Sequence, residues 1–112
     1  GGNSMYSLLL VAAMANPLWF DNQQLQPESY AITPMVRLET RCQCRLQINI
    51  SKSSEQGTTV SRQQSAITIP AGTDTPLANL RFNLQQGDRV LIHIALTDGQ
   101  RQHYENSLSL PQ

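Results

Sequence analysis

Alternate residues from Tyr30 to Ile50 form one nearly apolar series: Tyr30, Ile32, Pro34, Val36, Leu38, Thr40, Cys42, Cys44, Leu46, Ile48 and Ile50. From Arg37 the intervening positions are Arg37, Glu39, Arg41, Gln43, Arg45, Gln47 and Asn49. Successive side chains of a strand point to opposite faces, so a period of two gives a sheet with one buried and one wet face. A helix would scatter the same residues around its axis. Pro34 has no amide proton for a ladder and should split the run or sit at an edge. Val36 to Lys52 is then still long for one strand, because about 3–10 residues is usual. A bulge or kink is expected in it, near the cysteines.

Shorter runs with the same period follow. "KSSEQGTT" reads as a loop, and Val60 to Ile69 as a strand that strengthens where Ile67 and Ile69 flank Thr68. "PAGTDTP" is a turn cluster. Leu80, Phe82 and Leu84 alternate with polar residues, "QQGD" turns the chain, and Val90, Ile92, Ile94 and Leu96 make the cleanest core face. Asp98-Gly99 is a hairpin signal of the type I′ kind. A last strand runs through Tyr104 towards Leu110. About seven short strands separated by turns predict an immunoglobulin-like antiparallel β-sandwich.

With 112 residues the chain is long enough for one core. Gly1 to Ser4 precede the first methionine and read as an expression scar. Residues 5–15 form a signal-like apolar segment, in which Ala13-Met14-Ala15 fits a small-x-small cleavage site. No Lys or Arg lies between Met5 and the apolar run, so a retained, buried extra strand is the alternative. The run is too short to span a bilayer as a helix, which takes about 20 apolar residues. Residues 16–112 are read as a single sandwich domain.

Lys+Arg and Asp+Glu are each 8, so no global field draws the chain to nucleic acid. No Gly-rich phosphate loop, G-x-S-x-G or acidic cluster occurs. Glu55, Asp74, Asp88 and Asp98 all fall in expected loops or turns. The chain is therefore read as a non-enzyme with no cofactor. Metal binding is also disfavoured: two sulfurs on one strand leave two ligands to find, and His93 and His103 read as solvated strand residues.

Cys42 and Cys44 are the only cysteines, one residue apart. Residues i and i+2 of a strand share a face with Cα atoms about 6.5–7 Å apart, from a rise of ~3.3 Å per residue. Disulfides usually need about 4.4–6.8 Å, so a bond between the two is just reachable with a local kink. They are redox candidates, and they are also small apolar residues that a core accepts readily. Their place on the face of Leu46 and Ile48 argues for burial and against rapid exchange. Arg37, Arg41 and Arg45 recur on the other face. That stripe is either a solvated surface or a docking surface for an acidic or amide-rich chain, since guanidinium forks bond carboxylates and amides well.

The segments "MYSLLLVAAMA", "YAITPMVRL", "CQCRLQI", "TIPA", "LANLRFNL" and "DRVLIHIALTDGQ", in this order and over nearly the whole chain from Met5, resemble the CsgC-like curli assembly proteins. The most specific parts are the C-x-C strand and the D-R-V…D-G-Q hairpin. The resemblance implies a periplasmic sandwich of the Gram-negative curli system that inhibits premature amyloid assembly of the major curli subunit. Its implied partner is that subunit, held transiently by a monomer; the shared face of Arg37, Arg41 and Arg45 makes these three the client-binding candidates. The fold is also similar to an immunoglobulin-like domain of a periplasmic thiol–disulfide reductase, which makes a redox module using Cys42 and Cys44 the alternative. An accessory or adaptor role in curli secretion is a third reading.

Overall fold

The computed structural model describes residues 16–112, so the expression scar and the signal-like segment lie outside the described residues. Among the described residues eight strands form two four-stranded sheets, where the sequence suggests about seven strands. The first sheet pairs β1 (Leu18–Gln26) with β2 (Ser29–Val36), and the far side of β2 with β5 (Thr75–Pro76) and β6 (Leu80–Asn83). The second runs in the order β4 (Gly57–Ile69), β3 (Cys42–Ser54), β7 (Arg89–Thr97), β8 (His103–Leu110). All strand pairs are antiparallel. The chain crosses between sheets after β2, β4 and β6.

The alternation places the core. Tyr30, Ile32 and Val36 of β2 face Cys42, Cys44, Leu46 and Ile48 of β3 and Val90, Ile92, Ile94 and Leu96 of β7, in one buried cluster. Leu18 and Leu110 close its ends, fully buried. No charged side chain is buried among the described residues, so the sandwich is held by apolar contact and backbone ladders rather than internal ion pairs.

Four local expectations change. Val36 to Lys52 is not one kinked strand: Arg37 to Arg41 leave the first sheet and cross to the second, and β3 starts at Cys42. Pro34 does not split β2. In an extended residue the nitrogen and carbonyl point to the same side, and the Pro34 carbonyl accepts from the Leu77 amide at 2.8 Å. The missing N–H therefore faces the break between β5 and β6, where no ladder bond is lost.

The loop "KSSEQGTT" shrinks to Glu55-Gln56, because Ser51 to Ser54 pair with Gly57 to Val60. Backbone pairing is indifferent to polar side chains, and Gly57 to Val60 are exposed, so polarity alone overstated the loop. Asp98-Gly99 is not a two-residue type I′ turn. Five residues, Asp98 to Gln102, join β7 to β8, and only Gly99 of them has positive φ, +82°. A type I′ turn needs positive φ at both central residues.

Candidate functional site

The crossover Arg37–Arg41 is pinned from beneath. Leu38 is buried, forms a parallel bridge with Ala71, and its carbonyl accepts from the Gly72 amide at 2.7 Å. The Arg37 amide donates to the Pro17 carbonyl. With Leu38 held inside, Arg37, Glu39, Thr40 and Arg41 remain exposed.

The loop Asp98–Gln102 stands opposite. Asp98 Oδ1 accepts from the amides of Gln100 at 2.8 Å and Gln102 at 3.0 Å, and the Asp98 amide donates back to the Gln102 carbonyl. These bonds, that from Gln100 first, hold the Asp98 carboxyl below its ordinary value. They also fix the loop as a short arch. Gln102 Nε2 donates to the Arg41 carbonyl at 3.4 Å, and Tyr104 Oη donates to Gln102 Oε1 at 3.0 Å.

Between crossover and arch lies an open groove of about 830 Å³, lined among others by Arg37, Arg41, Arg101, Gln102 and Tyr104. Three guanidiniums face two carboxylates, Glu39 and Asp98, and Asp98 is already engaged by backbone amides. Arg37 also meets Asp74 at 3.2 Å, an exposed pair that contributes about 0–1 kcal/mol. The groove is suited to polar, extended ligands that offer carboxylates or amides.

The structure thus brings Arg37 and Arg41 together but not Arg45. Arg45 lies on the outer face of the second sheet, flanked in register by Ala66 and Thr97. The stripe dissolves because the three arginines never share one strand. Arg101 takes the third place in the groove. It was missed because a two-residue hairpin leaves no arch to carry it.

Cys42 and Cys44 point into the core at 1 % and 4 % exposure, opposite Ile69 and Ile67 of β4. Their sulfurs are bonded, with the Cα atoms 5.4 Å apart. That is shorter than an ideal strand and within disulfide range, at the point where the chain enters β3 from the crossover. Exchange with an outside thiol needs this end of the sandwich to open.

A second cluster lies on the outer face of β7 and β8. Glu105 Oε1 meets His93 Nε2 and Glu105 Oε2 meets His103 Nε2, both at 3.0 Å, while His93 Nδ1 and Ser107 Oγ share a 2.8 Å bond. Hairpin register could have found it: His93 pairs with Ser107, and His103 lies two residues from Glu105. The two histidines, His103 first, hold the Glu105 carboxyl below the ordinary 4.5. A depressed folded pKa stabilises above the ordinary value, and that contribution is lost as pH falls through the depressed one. The side chains are exposed, so the effect on unfolding is small. An NMR titration of the Glu105 carboxyl carbon is expected to show a midpoint below 4.5 that rises more in His103→Ala than in His93→Ala. A midpoint unmoved in both variants removes the histidines as the cause.

Fold and site define a small antiparallel β-sandwich with a polar groove walled by arginines. The chain belongs to the thin aggregative fimbriae synthesis protein family, Tafi-CsgC, whose family model matches residues 9–108. It is 34% identical over 99 residues to the curli assembly protein CsgC of Escherichia coli K12, covering 88% of this chain and 89% of that protein. The Salmonella typhimurium CsgC is 32% identical, covering 88% and 91%. The solved E. coli curli protein CsgC superposes with a TM-score of 0.75 at 31% identity, over 88% of this chain and all of that one. The solution structure of R. palustris CsgH has a TM-score of 0.62 at 12% identity, over 81% and 88%, a likeness of fold alone.

Proposed function

We propose that this chain works in curli assembly, in the periplasm, as a non-enzymatic holdase that prevents premature amyloid formation by the major curli subunit. The observation that carries the reading is the match to curli assembly proteins over nearly the whole chain. The physics is compatible with it. Amyloid grows when strand edges template further strands, and transient contact with a compact domain removes the growing strand from that equilibrium. A groove with three arginines attracts carboxylates and amides without a large apolar surface, so contact is brief and reversible.

The test is thioflavin-T fibrillation of the major curli subunit with this protein well below one to one, oxidised and reduced. The expected result is a long delay in both states, because the sulfurs are buried and do not line the groove. No delay in either state overturns the reading. The alternative, a thiol–disulfide module, is favoured by the bonded pair Cys42 and Cys44. It predicts a delay in one redox state only, and loss of that difference in Cys42→Ala/Cys44→Ala.

A further inference from the structure

A sheet ends in strands with unpaired backbone groups, and a two-sheet sandwich has four such edges to manage. Three are managed here. β5 and β6 are two and four residues long. The edges of β1 and β8 are tied to one another by side chains: Asn16 Nδ2 donates to the Glu105 carbonyl at 2.8 Å, and Asn106 Nδ2 to the Leu18 carbonyl at 2.6 Å. Asn22 Nδ2 reaches Gln112 Oε1 at 2.7 Å beyond them.

The fourth edge is β4. Among the described residues it pairs only with β3, over all of its 13 residues. That is longer than most strands, and Arg62 is its one charge. β4 also overhangs the sandwich. Its residues from Gly57 to Ala66 are exposed on both faces, although Ser65 and Gln63 pair with the buried Leu46 and Ile48. The opposite sheet does not reach over it.

We infer that the outer edge of β4, from Thr58 to Ala66, is a docking edge that accepts one extended strand rich in Gln, Asn, Ser and Thr. The inference rests on the client-holding function proposed above and adds where and how the client sits. The ladder supplies the attraction, since any extended backbone can offer its amides and carbonyls to an edge. Exposure supplies the selectivity. A strand added beyond β4 has no layer over either face, so apolar side chains on it stay mostly in water and find only Val60 and Ala66 to pack beside. Amides and hydroxyls keep their hydration there and bond across to Thr59, Ser61, Gln63 and Gln64. Arg62 disfavours a basic strand. Because the added strand is covered by nothing, its own outer edge is its weak point, and the complex stays short-lived.

The test is amide hydrogen exchange by NMR on the full chain, with a soluble uncharged peptide of Gln, Asn and Ser as the probe. The control is the same peptide methylated at every backbone nitrogen, which leaves neither of its edges able to donate to a ladder. An edge presents every second amide outward, so saturating peptide should slow alternate amides between Thr58 and Ala66 by ~10-fold and leave β8 unchanged. The methylated peptide should do nothing. Unchanged exchange along β4, or slowing confined to residues 37–41 and 98–102, overturns the inference. So does slowing that needs no peptide and grows with the chain's own concentration, since the edge then serves a second copy. The readout involves no fibrils. Delayed fibrillation with β4 untouched removes the docking edge alone; peptide bound at β4 without delayed fibrillation removes the holdase function alone.

Discussion

Ile94→Ala is expected to lower the unfolding free energy by about 3–4 kcal/mol, within the usual range for a fully buried large aliphatic side chain. Ile94 has no exposed surface and sits mid-strand in β7, between Ile48 of β3 and Asn106 of β8. Both neighbours are held by ladders, so the cavity cannot close by a local shift. A domain of this size is stable by about 5–15 kcal/mol, so the loss is a large fraction of the whole. At about 4–8 °C per kcal/mol near the midpoint, Tm should fall by roughly 12–30 °C. Leu91 on the same strand is 48 % exposed, and Leu91→Ala should stay within about 0.5 kcal/mol. Urea and thermal unfolding followed by circular dichroism measure both. If Leu91→Ala is as harmful as Ile94→Ala, β7 faces the other way, because a slip of one residue exchanges its faces.

The second large effect is on client contact. Reversing Arg37, Arg41 and Arg101 together to Glu leaves Glu39 and Asp98 in place, so the formal charge lining the groove changes from +1 to −5. Charges that steer encounter act mainly on association, and loss of a steering field costs about 10-fold or more in on-rate. The triple variant should lose most of the delay in curli subunit fibrillation while keeping its unfolding midpoint, since exposed ion pairs add little stability. Arg45→Glu, on the far face of the second sheet, should keep most of the delay. Raising salt should weaken the wild type towards the triple variant. A triple variant that inhibits as well as the wild type removes the groove from the function. An Arg45→Glu variant that fails alone returns the contact to the outer sheet face.

The alternation of β2, β3 and β7 was legible because each of these strands packs one face on the core, which forces a period of two into the sequence itself. The inward cysteines followed from the same period. β1 was not legible: after Leu18-Trp19-Phe20 it reads Asp21 to Gln26, all exposed, and β2 is its one ladder partner among the described residues. The far end of the β3–β4 hairpin is as opaque, since β4 is exposed there on both faces and backbone pairing by itself needs no apolar side chains. The arginine stripe failed for a related reason. Periodicity reports which face a side chain takes but not whether the chain stays in one sheet, and Leu38 is buried by the crossover just as a strand would bury it.

By itself, then, the sequence determined an all-β chain, its core residues and the sharing of one face by Cys42 and Cys44, because these follow from local period and solvent alone. Only the tertiary structure decided that Arg101 joins Arg37 and Arg41, that Glu105 holds both histidines and that β4 keeps an open edge. Each of those depends on which strands become neighbours, and that choice is made by packing between residues far apart in the chain.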